Sequence, residues 1–358
     1  MTAFNRDSIR KILIRAVNWV GDAVMTTPAI GVIRESFPQA EITVLANPLV
    51  AQIFSPHEWI DRVITFDQKG RHRGILGRFR LASEVRKHSF DLAIVLPNSF
   101  NSALVPWLAG IPVRLGKNSD GRGFMLSDRY IPGDHPPYGH EVNYYLNLVR
   151  HFGISGQATQ PHLCILPEEQ QSALQRLSLR GVEHDDFVIG INPGASYGSA
   201  KRWYPERFAE VAEKLAAEWS AKIIIFGGPG ETDMAADIER RLDMSSCLNL
   251  AGKTTVRELM ALINRCNFFI TNDSGPMHVA AALDVPVVAI FGSTDHTGTA
   301  PYSDKAVVVR KSVECAPCKL RECPTDHRCM KAVSVDDVLV AARQLHLKVS
   351  KGPTCARI

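Results

Sequence analysis

Short β-rich runs alternate with helical stretches along the chain, and this alternation restricts the fold more than any other feature of the sequence. In the first half the runs are KILIRA at 11–16, EITVLA at 41–46, RVITF at 62–66 and DLAIVL at 91–96. Parallel strands need a crossover connection, which is usually a helix. The alternation therefore predicts an α/β fold whose parallel strands are covered by helices on both faces.

The alternation starts again after residues 155–186, which are polar, broken by prolines and typical of a domain linker. A strand pattern at 187–194 runs into a glycine loop, and further strand and helix patterns continue as far as a last helix at 334–345. We therefore predict two Rossmann-like doubly wound domains, at 1–170 and 171–358, that face each other across a cleft. We expect the last helix to pack back on the N-terminal domain.

The composition is that of a folded globular protein, and it excludes two classes of function. Of the 358 residues, 45% are hydrophobic and 22% are charged, which is ordinary for a chain that buries large cores. The net charge of +4 is far below that of a dedicated nucleic-acid binder, so no nucleic-acid partner is expected. No apolar run is long enough to span a bilayer, and the polar first ten residues lack a signal-peptide core, so we expect a cytoplasmic protein.

Ligands of doubly wound sheets bind at the loops that leave the carboxyl ends of the strands. The loop NWVGD at 18–22 places Asp22 at the start of a helix, where it is either an N-cap or a general base at the mouth of the cleft. The loop NPGASYGSAKRW at 192–203 combines glycines, serines and the pair Lys201–Arg202, which is typical of phosphate-binding loops. It is not a Walker A motif, and no G-x-G-x-x-G follows the first strand, so the usual mode of NAD binding is not expected.

Two further loops carry acidic, hydroxyl and imidazole groups. Glu231, at the start of a helix after GGPG, either interacts with the helix dipole or holds ribose hydroxyls. The loop TNDSGPMH leads into a helix whose first N–H groups form an anion site. Its candidate ligand-binding residues are Asp273, Ser274, Gly275 and His278. These loops predict a nucleotide diphosphate held by the second domain and faced by a carboxylate of the first, as in a two-domain glycosyltransferase.

Four motifs in the same order resemble those of the ADP-heptose:lipopolysaccharide heptosyltransferases, most of all the heptosyltransferase II members. They are NWVGDAVMTTPAI, VLPNSFNSALVPWLAGIPVRLG, NPGASYGSAKRW and TNDSGPMHVAAAL, and the resemblance covers 11–345. It implies the glycosyltransferase B fold, no required metal or other cofactor, and inversion at the anomeric carbon of ADP-L-glycero-D-manno-heptose. It implies heptosyl-Kdo-lipid A as the acceptor, in lipopolysaccharide inner-core synthesis, and a peripheral location on the cytosolic face of the inner membrane.

The resemblance also implies roles for individual residues. Asp22 matches the catalytic base, Lys201 a phosphate contact and Glu231 a ribose-binding acid, while Thr254 flanks the adenine. The full set of donor-binding residues that it implies is Ser196, Lys201, Glu231, Thr254, Asp273, Ser274, Gly275 and His278. The N-terminal domain then binds the acceptor, and the C-terminal domain binds the ADP-sugar.

The segment QKGRHRGILGRFRLASEVRKH at 68–88 is rich in lysine and arginine. Such a run is either a solvated basic loop and helix or a surface that binds an anionic partner. The acceptor implied above carries phosphates and Kdo carboxylates, and the membrane surface is anionic. We therefore expect Arg71, Arg73 and Arg78 to contact the acceptor or the membrane.

Four cysteines lie within fifteen residues, with the spacing C-x2-C-x4-C-x5-C. They are Cys315, Cys318, Cys323 and Cys329. In a cytosolic chain this clustering favours a structural metal over disulfides, although only the opening C-x2-C matches the usual zinc spacing. The alternative is a reduced cysteine-rich loop, and neither interpretation gives it a catalytic role.

Three other functions fit parts of the sequence. They are another nucleotide-sugar transferase of the same fold (resembling heptosyltransferase I or III), a nucleotide-sugar epimerase, and a binding module without activity. An epimerase needs no basic surface that faces a polymer. An inactive module need not keep Asp22 together with Lys201 and Asp273.

Overall fold

The computed structural model describes residues 5–131, 139–242 and 247–350. Its contacts divide the chain into two compact units, Met1–Cys164 and Ile165–Ile358, whose outermost residues at 1–4 and 351–358 lie outside the described part. The division falls a few residues before the expected position at 170, so the helix at 167–178 belongs whole to the second unit.

The first unit is built on a sheet of six parallel strands in the order β3-β2-β1-β4-β5-β6. Every residue of β4 is buried, which means that helices cover both faces of the sheet centre. The strands β5 and β6 were not predicted because VRLGK and DRY are charged and only partly buried. The strands are β1 (Lys11–Arg15), β2 (Glu41–Ala46), β3 (Arg62–Thr65), β4 (Leu92–Val95), β5 (Val113–Lys117) and β6 (Asp128–Tyr130).

Five α-helices are described in this unit, together with two single 3-10 turns. They are α1 (Val20–Ser36), α2 (Pro48–Phe54), α3 (Gly74–Arg86), α4 (Phe100–Leu108) and α5 (Glu141–His151), and the turns are at Arg6–Ser8 and Gly123–Met125. Helix α1 packs against α5, and α3 packs against α4 over a core of β1, β2 and β4 side chains. Helix α3 begins at Gly74, and Gly77 packs so closely on the His72 backbone that a Cβ would overlap it.

The second unit repeats the same topology, with strand order β12-β11-β10-β7-β8-β9 and all neighbours parallel. Its strands are β7 (Phe187–Asn192), β8 (Ala221–Ile225), β9 (Cys247–Asn249), β10 (Phe268–Asn272), β11 (Val287–Ile290) and β12 (Ala306–Val309). Its longer helices are α6 (Pro167–Ser178), α7 (Pro205–Trp219), α8 (Thr232–Glu239), α9 (Val256–Arg265), α10 (Gly275–Ala282) and α13 (Val335–Ser350). Short helices are α11 (His296–Thr299) and α12 (Arg328–Lys331), with 3-10 turns at Ser199–Lys201 and Pro229–Glu231.

The last helix, α13, packs against α7, β11 and β12 of its own unit. Its buried residues Val338, Leu339 and Leu345 join the core of that unit. Ser334 caps this helix, because its Oγ accepts the Asp337 amide (3.1 Å) and the Asp337 carboxylate accepts the Ser334 amide (2.9 Å). Within the described ranges, no helix combines the length and apolar character needed to cross a bilayer.

Each sheet reverses its strand order once, between β1 and β4 in the first unit and between β7 and β10 in the second. At such a point the loops after the two central strands diverge to opposite faces, and a crevice opens at the carboxyl edge. The topology therefore predicts one ligand crevice in each unit.

Candidate active site

The crevice of the second unit is lined by the loops after β7 and β10, and two asparagines join these loops. Asn192, the last residue of β7, donates from Nδ2 to the Ser274 hydroxyl (3.2 Å). Asn272, the last residue of β10, donates to the Pro193 carbonyl (2.6 Å) and accepts the Trp203 amide (3.1 Å). The sequence analysis missed both side chains, although an asparagine ends each of the two central strands.

A buried ion pair lies between the two loops. Lys201 Nζ and Asp273 Oδ2 are 2.6 Å apart, and Thr294 Oγ1 donates to the same carboxylate oxygen (2.6 Å). The side chains of Lys201 and Asp273 are 14% and 5% exposed, so their charges interact with little solvent screening. Two residues predicted to bind the donor are thus in direct contact, although they are 72 positions apart in sequence.

Helix α10 begins directly after this pair. Its N-cap is Ser274, whose side chain makes no capping hydrogen bond and contacts Asn192 and Thr271 instead. The first N–H groups and the positive end of the helix dipole are therefore available to an anion. Gly275 is half-buried at the first helical position, and His278, one turn further, is buried.

Glu231 lies beneath the loop after β7. It is 8% exposed, its Oε2 accepts the Gly228 amide (2.7 Å), and a Cβ on Gly194 would overlap its carboxylate. The carboxylate therefore caps the 3-10 turn before α8 and also lies close to the loop after β7. Thr254 is half-buried after β9, two strands from the β7–β10 crevice, and Ser196 is exposed on the loop after β7.

The cysteine-rich segment at 313–331 packs on the loop after β7, which the sequence analysis did not predict. The Ala200 amide donates to the Arg321 carbonyl (3.0 Å), and His327 Nε2 donates to the Ala200 carbonyl (3.0 Å). Tyr197 donates to the Lys319 carbonyl (3.0 Å). This segment therefore forms one side of the crevice.

Tyr197 brings a second cation close to Lys201. The Lys201 ammonium lies 4.9 Å from the centre of the Tyr197 ring, and the Arg321 guanidinium lies 5.1 Å from it. Both distances are within the range of cation–π attraction. Arg321 thus adds positive charge beside the ion pair, and no signal in the sequence tied it to this loop.

The four cysteines of this segment, for which the sequence left a structural metal and a reduced loop as alternatives, have different surroundings. Cys329 is buried and packs towards Gly292, Cys323 contacts Thr325 Oγ1 (3.5 Å), and Cys315 is exposed. Burial raises the pKa of the Cys329 thiol, whereas the hydrogen bond with Thr325 lowers the pKa of the half-buried Cys323. Across the described ranges, no three His, Cys, Asp or Glu side chains are grouped so that they could hold a metal ion.

The crevice of the first unit contains Asp22. It is half-buried in the first turn of α1, and the N-cap of that helix is Trp19, so the alternative role of Asp22 as the N-cap residue was wrong. Burial and then the Asp22 charge raise the pKa of Glu141, the first residue of α5. Burial, Asp22 and Glu141 raise the pKa of Tyr145 well above its usual value. Two carboxylates and a phenol therefore share one poorly solvated region.

The loop after β4 forms the other side of this crevice. Buried Arg122 donates to the Pro97 carbonyl (2.5 Å), the Ser99 carbonyl (3.2 Å) and the Ser102 hydroxyl (2.7 Å). The Tyr144 hydroxyl donates to Asn98 Oδ1 (2.7 Å). The motif PNSF is thus held in one conformation by buried hydrogen bonds.

The three arginines expected to bind the acceptor have different surroundings. Arg71 pairs with Glu84 (2.5 Å), so part of its charge is neutralised. Arg78 is half-buried and lies 4.4 Å from the centre of the Phe66 ring, and burial lowers its pKa. Arg73 is exposed at the N-cap of α3.

Two doubly wound parallel units, with polar loops at the carboxyl edges of both sheets, define an α/β protein of the glycosyltransferase B fold. A family model for glycosyltransferase family 9 (heptosyltransferase) matches residues 78–328. The chain belongs to this family of glycosyltransferases. The fold class and enzyme class expected from the sequence are thereby confirmed.

Similarity to individual proteins extends over most of the chain. Lipopolysaccharide heptosyltransferase 2 of Salmonella typhimurium is 34% identical over 308 residues, which cover 84% of this chain and 88% of that protein. The structure of E. coli ADP-heptose lps heptosyltransferase II superposes with a TM-score of 0.80 and 30% identity, covering 95% of this chain and 99% of that one. A glycosyl transferase family 9 structure from Veillonella parvula gives a TM-score of 0.86 with 29% identity, covering 95% and 98%.

Proposed function

We propose that this enzyme transfers L-glycero-D-manno-heptose from ADP-heptose to heptosyl-Kdo-lipid A, the growing inner core of lipopolysaccharide. The similarity to heptosyltransferase 2 proteins supports the choice of donor and acceptor. The observation that carries the proposal is the Lys201–Asp273 pair, which lies at the β7–β10 crevice beside the uncapped start of α10. A pyrophosphate at this position would meet a cation, a helix N-terminus and glycine-containing loops together.

In this proposal the second unit holds the donor. Lys201 and the first amides of α10 bind the diphosphate, with Ser196, Ser274 and His278 around them. Glu231 holds the ribose, Thr254 lies beside the adenine, and Asp273 orients Lys201. Asp273 also accepts a hydrogen bond from the Thr294 hydroxyl, which holds its carboxylate towards the lysine.

The reaction is a single displacement. The acceptor hydroxyl attacks the anomeric carbon, the bond from that carbon to the β-phosphate oxygen breaks, and Asp22 takes the hydroxyl proton. Lys201 and the α10 amides stabilise the negative charge that develops on the leaving ADP. These groups do what a bound divalent cation does in other transferases, so this proposal requires no metal. Direct displacement inverts the anomeric configuration and needs no enzyme nucleophile.

The acceptor in this proposal is anchored in a membrane. The enzyme would therefore work as a peripheral protein on the cytosolic face of the inner membrane, with Arg71, Arg73 and Arg78 near the acceptor phosphates and carboxylates. Arg71 and Arg73 are exposed, whereas Arg78 is half-buried.

The decisive experiment is to incubate the protein with ADP-heptose and purified heptosyl-Kdo-lipid A and to follow the acceptor by mass spectrometry. We expect a gain of one heptose and the release of ADP without added metal. Kdo-lipid A without the first heptose is the matched acceptor control and should gain nothing. Transfer to that control alone would assign a different acceptor, and no transfer to either would contradict the proposal.

A further inference from the structure

Helix α3 exposes large apolar side chains at its start, on the side opposite the core. Ile75, Leu76 and Phe79 are 77%, 84% and 54% exposed, whereas Leu81 and Val85 of the same helix are buried. Isolated exposed apolar residues are common on soluble proteins, but three within five positions form a patch. The burial of the inward residues already accounts for the packing of α3, so it does not explain this patch.

Cations flank the patch in sequence. Lys69, Arg73 and Arg80 are exposed on either side of its members, and the half-buried Arg78 lies between them. The two acids nearest in sequence have other partners: Asp67 accepts the amides of the turn at 70–71, and Glu84 pairs with Arg71 and His72. The patch and its cations, residues 69–80, are called the apolar–basic face below.

Further exposed apolar residues begin the neighbouring helices of this unit. Trp19 precedes α1, Leu49 is in the first turn of α2, and Phe100 begins α4; their exposures are 50%, 52% and 38%. All these helices follow parallel strands, so their first turns lie at the carboxyl edge of one sheet. Asp22 lies at the same edge, in the first turn of α1.

We propose that the apolar–basic face docks this enzyme on an anionic lipid bilayer. Ile75, Leu76 and Phe79 insert at the boundary between headgroups and acyl chains, and Lys69 and Arg80 bind lipid phosphates. The combination of an exposed apolar patch with neighbouring long basic side chains matches such a surface in both respects, because each cation adds attraction to anionic headgroups while its stem follows the acyl boundary. A protein partner would have to match both features with an acidic rim.

This inference rests on the proposed function only for the reason why the enzyme would dock on a membrane. Docking at the carboxyl edge would bring a lipid-anchored acceptor to the edge that carries Asp22. The lipid contact itself depends on the exposed side chains of α3 and is measurable without any transfer reaction.

The test is flotation of the full chain with vesicles of phosphatidylcholine alone or of phosphatidylcholine with phosphatidylglycerol. We expect the wild type to bind the anionic vesicles and the combined variant Ile75→Ser, Leu76→Ser, Phe79→Ser to bind them about tenfold or more weakly. The matched control changes three exposed apolar residues of the second unit, Leu179→Ser, Val340→Ser and Leu347→Ser, and should bind as the wild type does. The pair Lys69→Gln and Arg80→Gln should also weaken binding by about tenfold or more, because each surface charge contributes independently.

Unchanged vesicle binding by the Ile75, Leu76 and Phe79 variant would overturn the inference, even if the charge variant were weakened. Failure of the wild type to bind anionic vesicles would overturn it as well. A second readout distinguishes a folding defect from a loss of membrane docking. The apolar variant should transfer heptose to a de-acylated, soluble acceptor at the wild-type rate but lose transfer to vesicle-embedded acceptor. If the wild type transfers heptose to neither acceptor, the proposed function fails while the flotation result still decides the docking.

Discussion

At the scale of single residues, the chemistry depends on charges held in poorly solvated places. Lys201 and Asp273 neutralise each other at the β7–β10 crevice, with only a small part of each side chain exposed. Asp22 and Glu141 share the first-unit crevice, where burial and like charge oppose the ionisation of Glu141. A substitution at any of these positions changes an electrostatic balance as well as a contact.

Asp22→Asn tests the general base. Asparagine preserves the shape of the side chain but cannot take a proton, so we expect turnover to fall by about 10²–10⁴-fold. The affinity for ADP should remain near that of the wild type, because the proposed donor residues all lie in the second unit. Steady-state kinetics and calorimetric titration with ADP measure the two effects, and near-normal turnover would remove Asp22 from the mechanism.

Lys201→Met tests whether the Lys201–Asp273 ion pair contributes to donor binding or only to the stability of the fold. The variant leaves Asp273 buried without its cation, so we expect a loss of about 3 kcal/mol in unfolding free energy together with loss of ADP binding. Adding Asp273→Asn removes the uncompensated charge and should recover much of the stability in a denaturant titration. ADP binding should stay lost in the double variant; its recovery would show that Lys201 does not contact the phosphates.

Glu141→Gln tests the raised pKa of this carboxyl through the pH dependence of stability. A folded-state pKa above the ordinary value of 4.5 means that the folded protein holds the proton more tightly than the unfolded chain. The favourable contribution of Glu141 is therefore present at low pH and is lost as pH rises through its folded-state pKa. As the pH rises from acidic to neutral, we therefore expect the melting temperature of Glu141→Gln to increase relative to that of the wild type.

The control for this effect is Glu168→Gln. Glu168 also lies in the first turn of a helix, α6, but is exposed to solvent, so its substitution should show no such trend. A constant difference between Glu141→Gln and wild type across the same pH range would argue against a buried like-charge pair.

At the scale of elements, the loop after β7 is held from two sides. The asparagines at the ends of β7 and β10 join it to the start of α10, and the segment at 313–331 holds it through backbone hydrogen bonds. Helix α6 is fastened to α9 by a two-contact ion pair between Glu169 and Arg257. The loop that lines the donor crevice is therefore held in place by hydrogen bonds from other elements of the second unit.

Gly198→Ala tests the contact between the cysteine-rich segment and the donor loop. The added Cβ would overlap the Arg321 carbonyl, so either the loop or the segment must move. Overpacking of this kind costs about 1–3 kcal/mol, and we expect ADP affinity to fall by about tenfold or more. Gly230→Ala is the matched control, since a Cβ there meets nothing within 4 Å, and it should bind ADP normally. Equal titration curves for the two variants would show that the segment does not set the loop position.

At the scale of the whole molecule, the same six-strand topology occurs twice, and each copy opens one crevice at its carboxyl edge. The proposed roles divide between the copies, with donor residues in the second unit and Asp22 in the first. The apolar–basic face belongs to the first unit as well, at the same carboxyl edge of the sheet as the crevice assigned to the acceptor.

Hydrogen exchange with mass spectrometry tests this division of roles. ADP should slow amide exchange in peptides that cover the loops at 193–203, 227–231 and 271–278, because these loops carry the side chains that we propose to hold the nucleotide. Peptides from 41–66 in the first unit should exchange as before. Lys201→Met with ADP should show no protection in any of these loops, and protection confined to the first unit would place the donor elsewhere.

The local pattern of the sequence was sufficient for the architecture. Strand-helix alternation predicts parallel sheets because each crossover needs a helix, and the strands β1 to β4 and β7 lie where their apolar runs predicted them. Short or charged strands could not be predicted from apolar runs. The strands β5, β6 and β12 are at or near the sheet edges, where burial does not require an apolar run. The four motif loops were visible because glycine, hydroxyl and charged residues followed apolar runs.

The sequence by itself thus determined the two doubly wound units, the loops that carry the chemistry and the family, since all of these are written in local patterns and motifs. Only the tertiary structure decided which side chains meet. It paired Lys201 with Asp273, placed the Arg321 carbonyl against Gly198, set Glu141 beside Asp22 and left the apolar start of α3 uncovered. Such contacts join residues a hundred or so positions apart, and burial, which governs their energies, is a property of the folded chain alone.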